Sequence, residues 1–436
     1  METPINNNES RAIIIGAGVS GLQIASLLQE KGYEVLVLEA KSDVGGRIRQ
    51  SRDFADFPIE LGAEEVHGED SHHYRIAKKH GGQFVDESKL HYYIEYNDEF
   101  GQDDDLAVTN PAVRRVVDLN WNEIETYDDN LQDISLKEYL NQACLPEDLH
   151  HAVDGILGRE WSTDLEKLSM KGIKRWNKGW DLGHNNFLLK NMSNYEVITK
   201  EYASVLDKVL LNTPISSITY GEDQKCVVQD KSGRSYTSDL VVVTVPISQL
   251  KKGAIKFVPD LPEIKKKELQ KISMEPAMKM MLRFKERPWA EDLGNLVTAG
   301  HLTLAWPSST DNKSKTCHVL TCLITGKVAA KLSNMSQRDA VNIVLEDMKR
   351  VYGEQVEKDF ENFVIQDWTK EEYIEGGYTF PNINEDENTR KILAEPISNK
   401  IFFAGEGVSS YFGPISGAID SSFKAFQKIC ELIPHN

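Results

Sequence analysis

The sequence predicts a mixed α/β protein: a Rossmann-like dinucleotide-binding domain interleaved with an α+β second domain. Three observations predict it. An apolar run near the N-terminus ends in a GAGVSG loop and restarts as a helix; a second apolar run ends in an acid; a third, Ile401–Phe403, meets a glycine-rich loop only at the far end of the chain. Pieces of one domain at opposite ends of a chain imply that another lobe lies between them. At 436 residues the chain is also too long for one compact core.

Taken in order, Ala12–Ile15 reads as a strand, Ser20–Lys31 has helical spacing, and Glu34–Leu38 reads as a second strand. Between them Gly16 permits a tight turn, Gly18 lets backbone approach a pyrophosphate, and Gly21 lets the helix pack on the strand. Val19 and Ser20 open the helix, whose N-terminus attracts negative charge. Glu39 is placed to accept hydrogen bonds from a ribose and disfavours a 2'-phosphate. Without the flanking strand and helix, the same glycines would serve as an ordinary turn. Residues 76–204 are rich in charge and tryptophan, with helix-like Ser135–Ala143 and Tyr195–Leu211 and an acidic stretch, Asp103–Asp105, that reads as a solvated loop. Strand-like runs return at Ile215–Tyr220, Lys225–Gln229 and Leu240–Val245, and Ala418–Leu432 reads as a closing helix. The expected division is 1–75, 205–265 and 395–436 for the dinucleotide domain, and 76–204 and 266–394 for the substrate domain.

Composition narrows the partners. Apolar residues at 40% and charged residues at 27% are ordinary for a globular protein, and a net charge of -18 repels nucleic acid and anionic membrane. Five cysteines, with no C-x-x-C pair and no histidines at zinc spacing, point to a reduced protein and to no metal site. The start METPINNNESR lacks a secretory signal, and no window approaches the ~20 apolar residues that span a bilayer. A cytoplasmic location follows as an expectation; oligomeric state is not legible.

The run LEAKSDVGGRIR, ending at Arg49, places a glycine pair and two arginines directly after the ribose-binding acid. It resembles the second nucleotide motif of the flavin-containing amine oxidases of monoamine and polyamine oxidase type. That resemblance implies noncovalent FAD, held by Glu39, Ala40, Gly45, Gly46 and Arg47; on pattern alone Arg47 could instead cap a carbonyl. It continues through IELGAEEVHG (Ile59–Gly68), similar to the segment beneath the flavin ring, where Gly62 and Ala63 would admit the ring and His67 would stand near substrate or simply bond within its loop. NTPISSITY (Asn212–Tyr220) resembles the strand beside the adenine, with Ile215 as a main-chain contact, and Thr244, Val245 and Pro246 resemble the crossover after it. FFAGEGVSSYFGPISGAIDSSFKA (Phe402–Ala425) resembles the C-terminal FAD motif, with Gly405, Glu406 and Ile415 at the cofactor.

ISMEPAMKMMLRFKERPW (Ile272–Trp289) resembles the family strand that carries one lysine, and Lys279 takes the position of the lysine that holds a water at flavin N5. By pattern alone Lys279 has two places: a solvent face of an edge strand, or a buried site where a perturbed group signals function. WTKEEYIEGGYT (Trp368–Thr379) puts Tyr378 at one wall of the family's aromatic cage, and Gly377 stands where monoamine oxidases carry a flavin-linked cysteine. Pro414 replaces the second cage tyrosine, leaving Tyr411 or Phe412 as substitutes or as packing. The resemblance implies hydride transfer from a small-molecule amine, imine hydrolysis, and reoxidation by O2 to hydrogen peroxide. Glu64, Glu65, Glu160 and Asp181 are the candidates to meet distal ammonium groups of a polyamine, or are surface acids. Rival readings are an L-amino acid oxidase, with Arg159 or Arg175 on the substrate carboxylate; a desaturase or protoporphyrinogen-type oxidase, against which Lys279 argues; and a nonenzymatic prenyl-protein binder, disfavoured by Glu406 and Lys279. A histone demethylase role is not expected, because no long helical insertion is present.

Overall fold

The computed structural model describes residues 10–97, 99–310, 314 and 316–433; the polar start Met1–Glu9 lies outside them. The chain divides into two units: Met1–Ile48, Tyr195–Lys271 and Glu387–Asn436 form one, Arg49–Asn194 and Ile272–Asp386 the other.

In the first unit a five-stranded sheet runs Val209–Leu210, Glu34–Leu38, Arg11–Ile15, Leu240–Val243, Ile401–Phe403, with every pair parallel. Ala12, Ile13, Ile14, Leu240, Val241 and Val242 are wholly buried, as the near-continuous apolar runs of a sheet covered on both faces require. Helices Val19–Glu30 and Ile415–Leu432 pack together, with the Ser20 and Ser422 hydroxyls 2.7 Å apart. A four-stranded sheet, Ser235–Ser238, Cys226–Asp230, Ile215–Thr219, Lys256–Val258, completes the unit. Its polar edge strand, Ser235–Ser238, gave no sequence signal. It is held by a tight turn in which the Asp230 carboxylate accepts from the backbone N–H groups of Ser232 and Arg234.

Two expected elements differ. The helix expected over Tyr195–Leu211 ends at Glu201, passes through a 3-10 turn, and yields Val209–Leu210 to the parallel sheet, where apolar residues gain burial that an extended helix would deny them. Asp103–Asp105 is no loop but the first turn of the helix Asp103–Thr109, where carboxylates meet the positive end of the helix dipole.

The second unit is built on a seven-stranded sheet ordered Phe360–Asp367, Ala277–Phe284, His318–Thr325, Leu304–Pro307, Leu293–Val297, His91–Tyr96, Glu99–Gln102. Along Ala277–Phe284 the even residues Met278, Met280, Leu282 and Phe284 join one apolar cluster with helices Gly326–Ser333 and Gln337–Tyr352. On the other face Met281 and Val319 pack against Phe54, Phe57 and Ile59. That packing, and the pairing of Gln50–Ser51 with Ile59–Glu60, puts residues 49–75 in the second unit, whereas the sequence reading placed them in the first. A small sheet of Val66–His67, Asn186–Leu189 and Phe84–Asp86 lies beside it in sequence and carries the loop acids treated below. Among the described residues no helix is long and apolar enough to cross a membrane.

One buried amine in the first unit ties helix to helix. Lys265, 4% exposed, donates to the carbonyls of Ile392 (2.6 Å) and Leu393 (2.8 Å) in the last turn of the helix Thr389–Ala394, and lies 4.5 Å over the Phe403 ring. Burial pushes its pKa down to about 7. An unfolded lysine keeps its proton to about pH 10, so protonation opposes folding: the penalty is full below about pH 7 and fades as pH rises toward 10. Lys265→Met should therefore flatten the rise in thermal midpoint over that range. It is expected to cost roughly 1–3 kcal/mol near pH 9, where only the two hydrogen bonds are lost, and less near pH 6. Thermal unfolding at a series of pH values checks this.

Candidate functional site

The parallel sheet brings its carboxyl ends into one line. Gly16 N–H donates to Leu38 O, Thr244 N–H to Ile15 O, Ala404 N–H to Val243 O and Glu39 N–H to Leu210 O, each at 2.9–3.1 Å. Open parallel sheets bind ligands outside such an edge, where the strand order reverses. The helix Val19–Glu30 starts there with Gly18 as its cap and no side-chain cap bond, and Ile415–Leu432 starts after Pro414 in the same way. Both leave backbone N–H groups free for an anion. Gly21 is forced by packing: a Cβ there would lie 1.9 Å from Gly16 O.

Around that edge the expected cofactor residues assemble. The buried Glu39 carboxylate accepts from Ala17 N–H (2.6 Å) and Lys41 N–H (2.8 Å); burial pushes its pKa up, and those bonds pull against the rise. Asn212 N–H and Thr213 N–H donate to Lys41 O and Glu39 O, so Ile215 begins its strand right after the acid's neighbours, with Ala40 between them. Gly45 pairs with Gly18 in an isolated parallel bridge at φ +100°, a conformation that excludes a side chain, and Gly46 follows it. Arg47 donates to Glu406 at 2.8 Å, joining the second and the last motif, while Gly405 N–H donates to Ser421 Oγ. Phe412, a candidate cage wall, is buried with the Arg390 guanidinium 3.5 Å over its ring, so that face is taken.

In the second unit Lys279 is buried, not on a solvent face. Its Nζ donates to Gly62 O (2.9 Å), Glu60 O (3.1 Å) and Glu64 Oε2 (2.8 Å), and lies 5.2 Å from the Trp306 ring centre. Glu64 therefore answers Lys279 and is not a free acid for substrate. Ala63 lies between them, its carbonyl accepting from Asn194 Nδ2. Asn194 also meets buried His73, whose pKa burial pushes down to about 4.

The neighbouring acids gather elsewhere in this unit. The Glu160 side chain is exposed but has protein packed closely around it, and the desolvation this causes, followed by the charge of Glu65, pushes its pKa up to about 8. Tyr92 OH donates to Glu160 at 2.9 Å. Glu87, at the turn after Phe84–Asp86, is pushed well above the usual carboxylate range by burial and then by Glu65, Glu64 and Glu160. Tyr378 OH donates to the backbone carbonyl of Glu160. His67 bonds Asn186 (3.1 Å) and lies 3.5 Å from Glu65, within this neighbourhood. Asp181 is exposed in the loop after the helix Met170–Gly179. Sequence reading missed Glu87, Tyr92 and Ser308, which carry no motif; the consecutive acids Glu64 and Glu65 were the available signal.

Of the arginines of the amino acid oxidase reading, Arg159 is 3% exposed and pairs with Asp154 and with Asp164, while Arg175 is exposed with a bond to one backbone carbonyl, Glu385 O. Among the described residues His91, Asp103 and Asp104 bring three donor atoms within 4.8 Å, a gathering that the helix start at Asp103 accounts for.

The family described as flavin containing amine oxidoreductase matches residues 19–430. The chain is 25% identical over 461 residues to lysine-specific histone demethylase 2 of Homo sapiens, covering 98% of this chain and 54% of that protein. It thus spans about half the length of that relative. It is 25% identical over 446 residues to polyamine oxidase 3 of Oryza sativa subsp. japonica, covering 96% and 88%. A solved putrescine oxidase bound to putrescine superimposes with TM-score 0.80 at 17% identity over 97% of this chain and 99% of the other. Cyclohexylamine oxidase from Brevibacterium oxydans IH-35A gives 0.78 at 20%, over 98% and 100%.

Gly21→Ala should separate helix from loop, at roughly 1–3 kcal/mol of overpacking. Its expected signature is loss of bound flavin absorbance on gel filtration together with a lowered thermal midpoint; full retention of flavin would contradict the close approach.

Proposed function

Because the chain belongs to the flavin-containing amine oxidoreductases, we propose that it is an FAD-dependent oxidase of a polycationic amine. The observation that carries the substrate class is the gathering of Glu65, Glu87 and Glu160 in the unit that holds Tyr378. No lysine or arginine among the described residues forms an ion pair with Glu87 or Glu160. Crowded acids without a cation are costly, and a substrate that brings its own ammonium groups relieves the cost.

Bound FAD would supply a two-electron acceptor for hydride from the carbon beside the amine nitrogen, with O2 as the final oxidant. Overall, R–CH2–NH2, O2 and water give R–CHO, ammonia and hydrogen peroxide. The glycine turn and the two uncapped helix starts hold the phosphates, Glu39 the ribose, and Arg47 with Glu406 the region between. Gly377 offers no thiol, so the flavin is held noncovalently. The ring of Tyr378, fixed by its bond to Glu160 O, orients the reacting amine, which arrives neutral, while the acids hold the distal ammonium. His67 keeps Glu65 in reach of that ammonium. An amino acid substrate fits poorly, because the acids would repel its carboxylate and Arg159 is already paired.

The pH dependence has a definite sign. Glu160, with its pKa near 8, is largely neutral at pH 7 and gains its charge as pH rises past about 8, while a distal aliphatic ammonium stays charged to about pH 10. The KM for spermidine should therefore fall between about pH 7 and 9, and Glu160→Gln should raise KM about tenfold at the upper end, leaving only the shallower fall that deprotonation of the reacting amine itself produces. Anaerobic mixing with amines, polyamines, amino acids and a methylated lysine peptide identifies the substrate by bleaching of the flavin band. Bleaching by amino acids alone would sink the polycation reading, and bleaching by the peptide alone would move it to protein lysine.

A further inference from the structure

We propose that Glu64 is the positioning residue of Lys279, holding the ammonium as a fixed cation with every proton committed inside the fold. This rests on the reading that Lys279 serves the flavin. An ammonium has three N–H donors. Here they meet Glu60 O at 3.1 Å, Gly62 O at 2.9 Å and Glu64 Oε2 at 2.8 Å. The other Glu64 oxygen accepts from Ser308 Oγ at 2.7 Å, and Ser308 lies 2.6 Å from Thr321 Oγ1. Both charged side chains are 5% exposed, so water neither screens the pair nor competes for it.

The sheet register produces the arrangement. Thr321 pairs with both Met281 and Trp306, two pairs along the ladder from Lys279, so Lys279, Met281, Thr321 and Trp306 share a face. The bond to Ser308, just beyond Pro307, extends that face to Glu64. Lys279 therefore acts through its charge and its fixed place, and a water or a reacting atom gains a proton from it only if one of the three bonds is given up. The carboxylate at its side supplies the counter-charge that an ammonium removed from water needs. Glu64 touches no reacting atom; it acts through the lysine.

The test compares the FAD-bound parent with Lys279→Met, Glu64→Gln and the double variant. Each is followed by reoxidation of the chemically reduced flavin with O2 from about pH 6 to about pH 9, and by thermal unfolding. Lys279→Met is expected to slow reoxidation about 10- to 100-fold at every pH. Glu64→Gln should stay near the parent at the acid end and fall about tenfold by the alkaline end, because its ammonium has lost the counter-charge and sheds its proton more easily. The double variant should match Lys279→Met and show no pH step. In unfolding, each single variant should lose several degrees while the double loses no more than the worse single, since a charge stranded by one deletion is removed by the other. Glu64→Asp, which keeps the charge, should keep the flat pH profile even if it is less stable.

A flat profile in Glu64→Gln with strictly additive thermal losses, while Lys279→Met remains slow, overturns this proposal and leaves the flavin reading standing. Parent-like reoxidation in Lys279→Met overturns the lysine's role in the flavin chemistry and this proposal with it.

Discussion

An ammonium ion inside an apolar sheet is the constraint around which the second unit is arranged. Desolvating such an ion costs several kcal/mol unless charge and hydrogen bonds replace the lost water. Alternation along Ala277–Phe284 sends Met278, Met280, Leu282 and Phe284 into the helix-covered cluster, so Lys279 must be answered on the opposite face. The stretch from Ile59 to Glu64 answers it with two carbonyls and a carboxylate. Those inward carbonyls leave neighbouring groups to be satisfied in turn. Asn194 N–H donates to the Glu60 carboxylate and its amide to Ala63 O and Glu64 O, and His73 holds that amide at 2.8 Å. His73 stays neutral there because burial drives its pKa down, which lets it bond the amide without adding a second buried cation.

Adjacent residues of this unit show what satisfied and unsatisfied charge look like. Arg159 is buried with Asp154, Asp164 and the Thr325 carbonyl around it, so its charge is answered by opposite charge inside the fold. Glu160, the next residue, has a tyrosine hydroxyl and other acids for company, and its carboxyl responds by holding its proton to a higher pH. A fold does not gain by crowding carboxylates, and the proposed polycationic substrate is what would relieve that cost. The strongly negative chain as a whole would draw such a ligand in, though its acids are mostly spread over the surface.

The sequence disclosed the dinucleotide half well because its demands are local. A tight turn, a close helix approach and an acid at a strand end each impose a residue type at a fixed spacing, and Gly16, Gly21 and Glu39 stand where those demands fall. Lys279 drew notice for a similar reason, being a charge among Met278, Met280 and Met281. Its partner was not: Glu64 and Lys279 are far apart in sequence, and nothing local says which of two consecutive acids turns inward. Glu87, Tyr92 and Ser308 were missed because each reaches the site from a separate element. The strand Ser235–Ser238 was missed because an edge strand needs little apolar character when a hairpin turn supplies its register. The sequence reading ran the first piece of the dinucleotide domain to residue 75, whereas the first unit's piece ends at Ile48, because Phe54, Phe57 and Ile59 owe their position to packing on Met281 and not to a local pattern.

The pair Glu64 and Glu65 joins the two halves of the chemistry in the shortest possible distance. In extended backbone successive side chains point to opposite sides, and these two do so functionally: Glu64 turns to Lys279, while Glu65 raises the proton affinity of Glu87 and Glu160. One acid fixes the cation assigned to the flavin, and the other belongs to the group assigned to the substrate. Their separation is set by a single peptide unit, whose carbonyl accepts from Asn194 Nδ2. A shift of this segment would move Glu64 and Glu65 together, so the packing that answers one buried ammonium also fixes one of the acids proposed to receive a second.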